Sequence, residues 1–333
     1  MKKNILLLNK TEKSFWGTNH SLKVTDKRIF ADKEFSFIYR ISLGGQAISM
    51  VLIALQGVLK SGQYDLIIIG DSKIAVVYSF FKKVFKNNTR VIVDQLILPD
   101  NEDGFEKNKN KIRKWIFSSI DAFIVNSDIE KKIYSRKLGL PISHFYFLPI
   151  FVEDSWIDGK ELSSKDFVFS GGGALRDYKT FFSAIVDLPY KFKVMAFEYA
   201  LKGIEKPKNC RLMKASSVEN YLKEIKKSKF VVVPLHSTSK AAGQTTVLQA
   251  MACRKAVITT SNRSLVDYVE NGETCLLVDP YDSIQLKNAI NLLYKDKKRR
   301  KKLADNGYKK IKENFLPDKY LINFQKIVLK VSS

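Results

Sequence analysis

Acid is in short supply in this chain. Its 333 residues hold 57 lysines and arginines against 34 aspartates and glutamates, a formal net charge of +23. Such a surplus calls for an anionic partner or surface and says nothing about fold. Nucleic acid, anionic lipid and nucleotide-linked substrates would each supply the charge. Cysteine is scarce as well. Cys210, Cys253 and Cys275 cannot all pair and have no metal-ligand spacing, which removes a disulfide scaffold and a zinc module and implies a reducing, cytoplasmic setting. No apolar run approaches the ~20 residues of a membrane-spanning helix. The longest, Ile48 to Leu59, is interrupted by Gln56 and Gly57 and reads as a core helix. The opening segment, Met1 to Lys10, has a basic start but only four apolar residues and no small-residue cleavage site, so a first strand is expected there. The lysines are spread along the chain rather than interleaved with aromatics in one stripe, and no RNA or DNA module is recognised, so nucleic acid is not an expected partner.

What is present is a globular pattern, 45% hydrophobic and long enough for two domains with cores of their own. Short β-branched runs alternate with helical ones. In the first half, strands are predicted at Ile5–Leu8, Phe35–Ile41, Asp65–Ile69, Val91–Asp94, Ala122–Val125 and His144–Leu148. Helices are predicted at Gln46–Leu59, Ser72–Phe85, Lys109–Ile120 and Ser127–Lys137. The second half repeats the plan, with strands at Phe167–Phe169, Phe192–Met195, Asn209–Met213, Phe230–Val233, Ala256–Thr259 and Cys275–Val278. Continuous apolar strands separated by helices indicate parallel sheets covered on both faces. The fold class is therefore α/β, two Rossmann-like doubly wound domains. A polar linker near residue 160 divides them, and a helix over 317–333 closes the chain.

The most informative stretch is Ala241-Ala242-Gly243-Gln244-Thr245-Thr246-Val247-Leu248-Gln249-Ala250-Met251-Ala252-Cys253, with the strand Ala256-Val257-Ile258-Thr259-Thr260 behind it. A small-residue turn opens an apolar helix. A helix N-terminus offers backbone N–H groups and partial positive charge to a diphosphate. Gly243 lets a ligand approach the backbone, and Thr245 or Thr246 is a candidate cap.

This run resembles the donor-site segment of GT-B glycosyltransferases of the group one type. Two further segments, in the same order as in that family, carry the likeness. Phe169-Ser170-Gly171-Gly172-Gly173 with Arg176-Asp177-Tyr178 resembles the strand and glycine-rich turn that open the family's second domain. Tyr268-Val269-Glu270-Asn271-Gly272-Glu273-Thr274-Cys275-Leu276-Leu277-Val278-Asp279-Pro280 resembles its later turn and strand. The resemblance implies two domains facing a cleft. Residues 1–160 would bind the acceptor and 161–316 the nucleotide-sugar donor, with the last helix packing back towards the first domain. It implies a glycosyltransferase that moves a sugar to a hydroxyl of a lipid-linked or polysaccharide acceptor. Retention of anomeric configuration and independence of metal or other cofactor are implied as well, and no Asp-x-Asp pair is present.

Residue by residue, the likeness places the donor on Gly172, Arg176, His236, Gly243, Gln244, Thr245, Thr246 and Gln249. Arg176 would hold the diphosphate and Gln249 the ribose. Gly44, Gly45 and Gln46 form a candidate acceptor or phosphate loop. Asp94, at a strand end, is the candidate catalytic carboxylate. The chain also departs from the pattern. The family's two glutamates fall on Ala241 and Gln249, one member of its basic pair falls on Gly172, and a turn glycine falls on Cys275. A second reading follows, a homologue with impaired catalysis that acts as a binding partner of an active transferase.

Two basic, aromatic-bearing helices stand out in the first half. Phe81, Lys82, Lys83 and Lys86 lie on one, and Lys111, Lys114 and Trp115 on the other. Lysines beside large apolar residues suit a helix lying on anionic lipid. The expected location is cytoplasmic, peripheral on the inner face of the cell membrane. The run Lys297 to Lys302 reads as a solvated helix face.

Overall fold

The structure, a computed structural model, describes residues 3–9, 35–42, 47–98, 107–157, 165–238 and 241–332. Two compact units emerge. One comprises 1–148 with 320–333, the other 149–319.

The first unit is built on a six-stranded, wholly parallel sheet in the order β2-β1-β3-β4-β5-β6. The strands are β1 (Lys3–Asn9), β2 (Phe35–Ser42), β3 (Leu66–Ile69), β4 (Arg90–Val93), β5 (Ala122–Val125) and β6 (Phe145–Phe147). Alternate residues Leu6, Leu8, Ile67, Ile69, Val91, Val93, Phe123 and Val125 meet a layer of helices in one core. That layer holds α1 (Ala47–Lys60), α2 (Ser72–Val84), α3 (Lys107–Phe117) and α4 (Asp128–Leu138). Asp71 starts α2 by accepting from the N–H groups of Lys73 and Ile74. Ser127 and Glu130 form a capping box on α4. The strand residues of the other face, Ile5, Leu7, Ile68, Ile92 and Ile124, are also buried. The last helix, α10 (Pro317–Ser332), is tied to the strands of this unit. The Arg90 guanidinium donates to the Val331 carbonyl at 2.8 Å, and Lys330 lies over the Tyr146 ring.

The second unit has its own parallel six-stranded sheet, in the order β12-β11-β10-β7-β8-β9. Its strands are β7 (Val168–Gly171), β8 (Phe192–Ala196), β9 (Cys210–Lys214), β10 (Val231–Val233), β11 (Val257–Thr260) and β12 (Leu276–Val278). Successive strand residues feed opposite cores, as a period of two requires. Phe169, Val231, Val233 and Val257 pack with α6 (Val218–Lys227) and α7 (Gln244–Ala252). Val168, Val232 and Ile258 pack with α5 (Tyr178–Ile185), α8 (Ser283–Lys295) and part of α9 (Lys297–Asn314). Helices on both faces make this sheet doubly wound. The strand order reverses between β7 and β10. In open parallel sheets the carboxyl ends of the strands at such a switch point are where ligands bind.

One sequence expectation fails at this level. The α1 segment is not a core helix. Ile53, Ala54 and Val58 are buried, but Ile48, Val51, Leu52 and Leu59 are exposed. With only Ser49, Gln56 and Lys60 as polar residues, the helix gave little polar face by which to tell inside from outside.

Candidate functional site

At the switch point of the second sheet, two turns face each other. After β7 the chain enters Gly172 at φ +104°, where a β-carbon would press on the Arg176 guanidinium at 2.7 Å. Leu175 is also left-handed, at φ +54°. The turn is stitched to the segment after β10: His236 N–H donates to the Leu175 carbonyl at 3.0 Å and Asp177 N–H to the Pro234 carbonyl at 3.1 Å. The second turn ends at Gly243, φ +81°, the N-cap of α7. A β-carbon there would lie 2.9 Å from Leu235, so glycine is needed for the close packing of the turn itself.

Neither Thr245 nor Thr246 caps α7, contrary to the sequence expectation. Among the described residues no side chain caps this helix, and the first backbone bond along it runs from Val247 N–H to the Gly243 carbonyl. The preceding N–H groups, of residues 244 to 246, are those a helix start leaves to an anion. Thr246 does something else. Its hydroxyl accepts from the Arg176 Nη2 at 2.9 Å and lies 3.2 Å from the Tyr221 hydroxyl.

Arg176 is the hub. It is buried, with 8% of its surface exposed. Its Nε donates to the Gly171 carbonyl at 2.9 Å, its Nη1 to Ala174 at 3.0 Å, and its Nη2 to Thr246. A guanidinium has five N–H donors, so three bonds hold it in place and two donors are left over by this count. The expected arm reaching for a diphosphate is thus a fixed strut that spans both turns and leaves a positive charge beneath them. Tyr178 joins the set, its hydroxyl donating to the Gly172 carbonyl at 2.8 Å. Burial pushes the Tyr178 and Tyr221 hydroxyls above the ordinary tyrosine range, so both stay neutral.

Gln244 and Gln249, both buried, sit on the first turns of α7. The Gln244 amide donates to the Ser264 carbonyl at 3.0 Å, which commits its nitrogen to the scaffold. His236 is exposed, its ring 5.9 Å from that of Tyr281. Tyr281 is itself left-handed at φ +65°, and its hydroxyl accepts from Ser237 N–H at 3.1 Å. With Asp177, Lys179, Thr180, Ser183 and Ser283 these two rings border a cavity of about 420 Å³. Cys275, where the related segment has glycine, has ordinary backbone and is buried. Burial pushes its thiol up to about 12, so it is inert at neutral pH. Tyr221 and Tyr281 were not marked by any sequence signal, because their partners are supplied by the fold, and Tyr178 lay in a recognised segment without an assigned role.

The first unit holds the remaining candidates. Gly44, Gly45 and Gln46 lie outside the described residues. Asp94, directly after β4, has no exposed surface. Neither carboxyl oxygen has a partner at good hydrogen-bond geometry among the described residues. Burial raises its pKa to about 8, opposed more weakly by the Gln95 backbone and the Tyr320 hydroxyl. Desolvation favours the protonated form of this carboxyl.

The basic helices divide as well. Lys82 is buried, donating to the Thr89 carbonyl at 2.6 Å and lying 3.5 Å from Asp121. It belongs to the interior. Phe81 packs against the core. Lys86, Lys111, Lys114 and Trp115 are exposed, and Lys83 is half-buried with its ammonium 5.8 Å from the Trp115 ring centre. Phe80, 45% exposed, meets Trp115 edge-on.

Residues 195–310 match the family described as glycosyl transferases group 1. A relative from Methanocaldococcus jannaschii, described as an uncharacterized glycosyltransferase, is 30% identical over 155 residues, 45% of this chain and 43% of its own length. The chain thus spans less than half the length of that curated relative. Among solved structures, Anabaena HepE in complex with UDP superimposes with a TM-score of 0.73 at 14% identity, over 99% of this chain and 100% of that one. Sucrose-phosphate synthase from Thermosynechococcus elongatus gives 0.75 at 14% identity, over 99% of each. Identities this low establish the fold, which is the GT-B plan of two parallel-sheet α/β units.

Proposed function

We propose that the protein, whose residues 195–310 match the glycosyl transferases group 1 family, transfers a sugar from a nucleotide-sugar to a hydroxyl acceptor, with the donor held by the second unit. The observation that carries this is the pair of turns locked by Arg176 at the switch point. Backbone N–H groups of α7 and a buried guanidinium supply fixed positive potential where a leaving diphosphate gathers charge. Preorganised donors of this kind stabilise the transition state without rearrangement. In this reading the diphosphate's charge is met by the chain itself, and transfer needs no metal. Retention of configuration follows from the family likeness. UDP-sugars are the first donors to test, since HepE carries UDP in its solved complexes.

The acceptor in this proposal is lipid-linked, presented at an anionic membrane surface. The helices α1, α2 and α3 contain no aspartate or glutamate. They expose Ile48, Val51, Leu52, Val76, Phe80, Val84, Ile112 and Trp115. Apolar side chains beside the exposed Lys86, Lys111 and Lys114 match the chemistry of an acidic lipid headgroup layer.

The second reading, a catalytically impaired partner of an active transferase, is favoured by Ala241 and by the bonded state of Arg176. Incubation with UDP-glucose and related donors, with release of the nucleoside diphosphate as readout, separates the two. Turnover or slow donor hydrolysis supports an enzyme. Tight nucleotide binding with no release over hours supports the partner.

A further inference from the structure

Beside the glycine-rich turn, the neighbouring strand ends in two exposed aromatic rings. β8 runs parallel to β7 with Met195 opposite Gly171, so the chain leaves β8 next to Gly172 and Gly173. A single helical turn follows, fixed by Ala200 N–H to the Phe197 carbonyl at 3.0 Å and Leu201 N–H to Glu198 at 3.1 Å. This turn sets Phe197 and Tyr199 side by side. Their ring centres are 5.6 Å apart and their planes differ by 11°. Phe197 is 53% exposed and Tyr199 66%. Neither packs in a core, whereas the adjacent Ala200 and Leu201 do. A β-carbon on Gly173 would run into both the Tyr199 hydroxyl and the Phe197 ring. The absence of a side chain there is what lets the rings lie against the turn.

We propose that Phe197 and Tyr199 form the stacking platform for the nucleobase of the donor nucleotide. This rests on the reading that the second unit binds a nucleoside diphosphate. With the diphosphate at the Arg176-locked turns, the nucleoside must lie along the strand ends. The platform is one strand over, at a spacing of about 4.8 Å, the scale of a ribose ring. Every base has a π-face, and stacking on an aromatic side chain is a binding mode open to all of them. The two rings form an offset stack, and its outward, solvent-exposed face gains by being covered with a flat heterocycle. The adjacent turn carries the positive charge that orients the nucleotide's other end.

The test is a binding titration of the full chain and of Phe197→Ala, Tyr199→Ala, the double variant and Tyr199→Phe. The probes are UDP, CDP, ADP, GDP and inorganic pyrophosphate. Both rings are exposed, so the variants should fold like the parent, which thermal melting checks. The expected result is a weakening of the preferred nucleoside diphosphate by roughly 5- to 150-fold in the double variant, the range of one base–aromatic stack. Pyrophosphate should be unchanged within about twofold, and Tyr199→Phe should bind like the parent because it keeps its ring. Equal weakening of pyrophosphate would show that the pair only props up the turn, and overturn the assignment. Unchanged nucleotide binding in the double variant would overturn it too, leaving the donor site standing. A parent chain that binds pyrophosphate but gains nothing from any base removes the platform alone. A parent chain that binds none of the probes removes the donor reading first.

Discussion

On the second unit, lysines meet carboxylates. Lys193 lies 2.6 Å from Glu224, Lys310 2.6 Å from Glu270, and Lys302 3.0 Å from Glu273. On the first unit, the sequence of α1, α2 and α3 has no carboxylate to offer, and outward positions are taken by aliphatic and aromatic side chains. Surface ion pairs contribute little to stability, but each neutralises a lysine where it stands. Exposed lysines such as Lys86, Lys111 and Lys114 beside apolar groups make a different kind of surface, one that gains by meeting an anionic layer. The strand ends differ in the same spirit. At the end of β7 a buried cation is satisfied by three hydrogen bonds and stays charged. At the end of β4 the buried Asp94 carboxyl has no comparable set of partners among the described residues, and burial raises its pKa. The overall surplus of +23 is therefore not one property. One part is locked beneath the donor turns, one part is neutralised, and one part is displayed.

The sharpest way to break this contrast is through Asp94. Its pKa is raised by burial from 3.8 to about 8. Between those values the unfolded chain has released the proton and the folded chain still holds it. Stability should therefore fall as pH rises through that window and level off above it. For a shift of this size the loss is several kcal/mol, among the largest effects of any single group. Asp94→Asn cannot ionise, so its melting temperature should lose this slope between pH 5 and 8. The same slope in parent and variant would mean that the carboxyl is solvated.

The displayed lysines come next. Replacing Lys83, Lys86, Lys111 and Lys114 by glutamine should weaken binding to vesicles containing acidic phospholipid by roughly 1 kcal/mol per residue, less at high salt. Lys82→Gln should act differently: it removes a buried contact to Thr89 and Asp121 and should lower the melting temperature without a selective loss of lipid binding. If the parent ignores acidic vesicles even at low salt, the first unit's surface needs another partner. Smaller in scale is Arg176→Ala, expected to weaken nucleoside diphosphate binding by about 1.5–3 kcal/mol, the range for hydrogen bonding to a charged group. Arg176→Lys should not restore it, because one ammonium cannot span Gly171, Ala174 and Thr246.

Much of this architecture was legible in the sequence. The apolar strands fell within a residue or two of their observed limits, since runs such as Leu66–Ile69 and Val231–Val233 have few alternatives to a parallel sheet. The Gly243 turn was legible because a glycine before an apolar helix is a local signal. What could not be read depends on distant partners. Arg176 is fixed by Thr246, 70 residues away. Asp94 is enclosed near Tyr320, far along the chain. Lys82 looked like its neighbours Lys83 and Lys86 until Thr89 and Asp121 were brought to it. The Phe197–Tyr199 pair carries no motif at all, and only its exposure beside the glycine turn marks it.

Hydrogen–deuterium exchange of the full chain, with and without a saturating nucleoside diphosphate, tests the central claim most directly. The account predicts slower exchange in residues 171–178 and 243–249 of the second unit, with the helices α1 to α3 unchanged. Saturation without protection of either turn, or protection confined to the first unit, would contradict it.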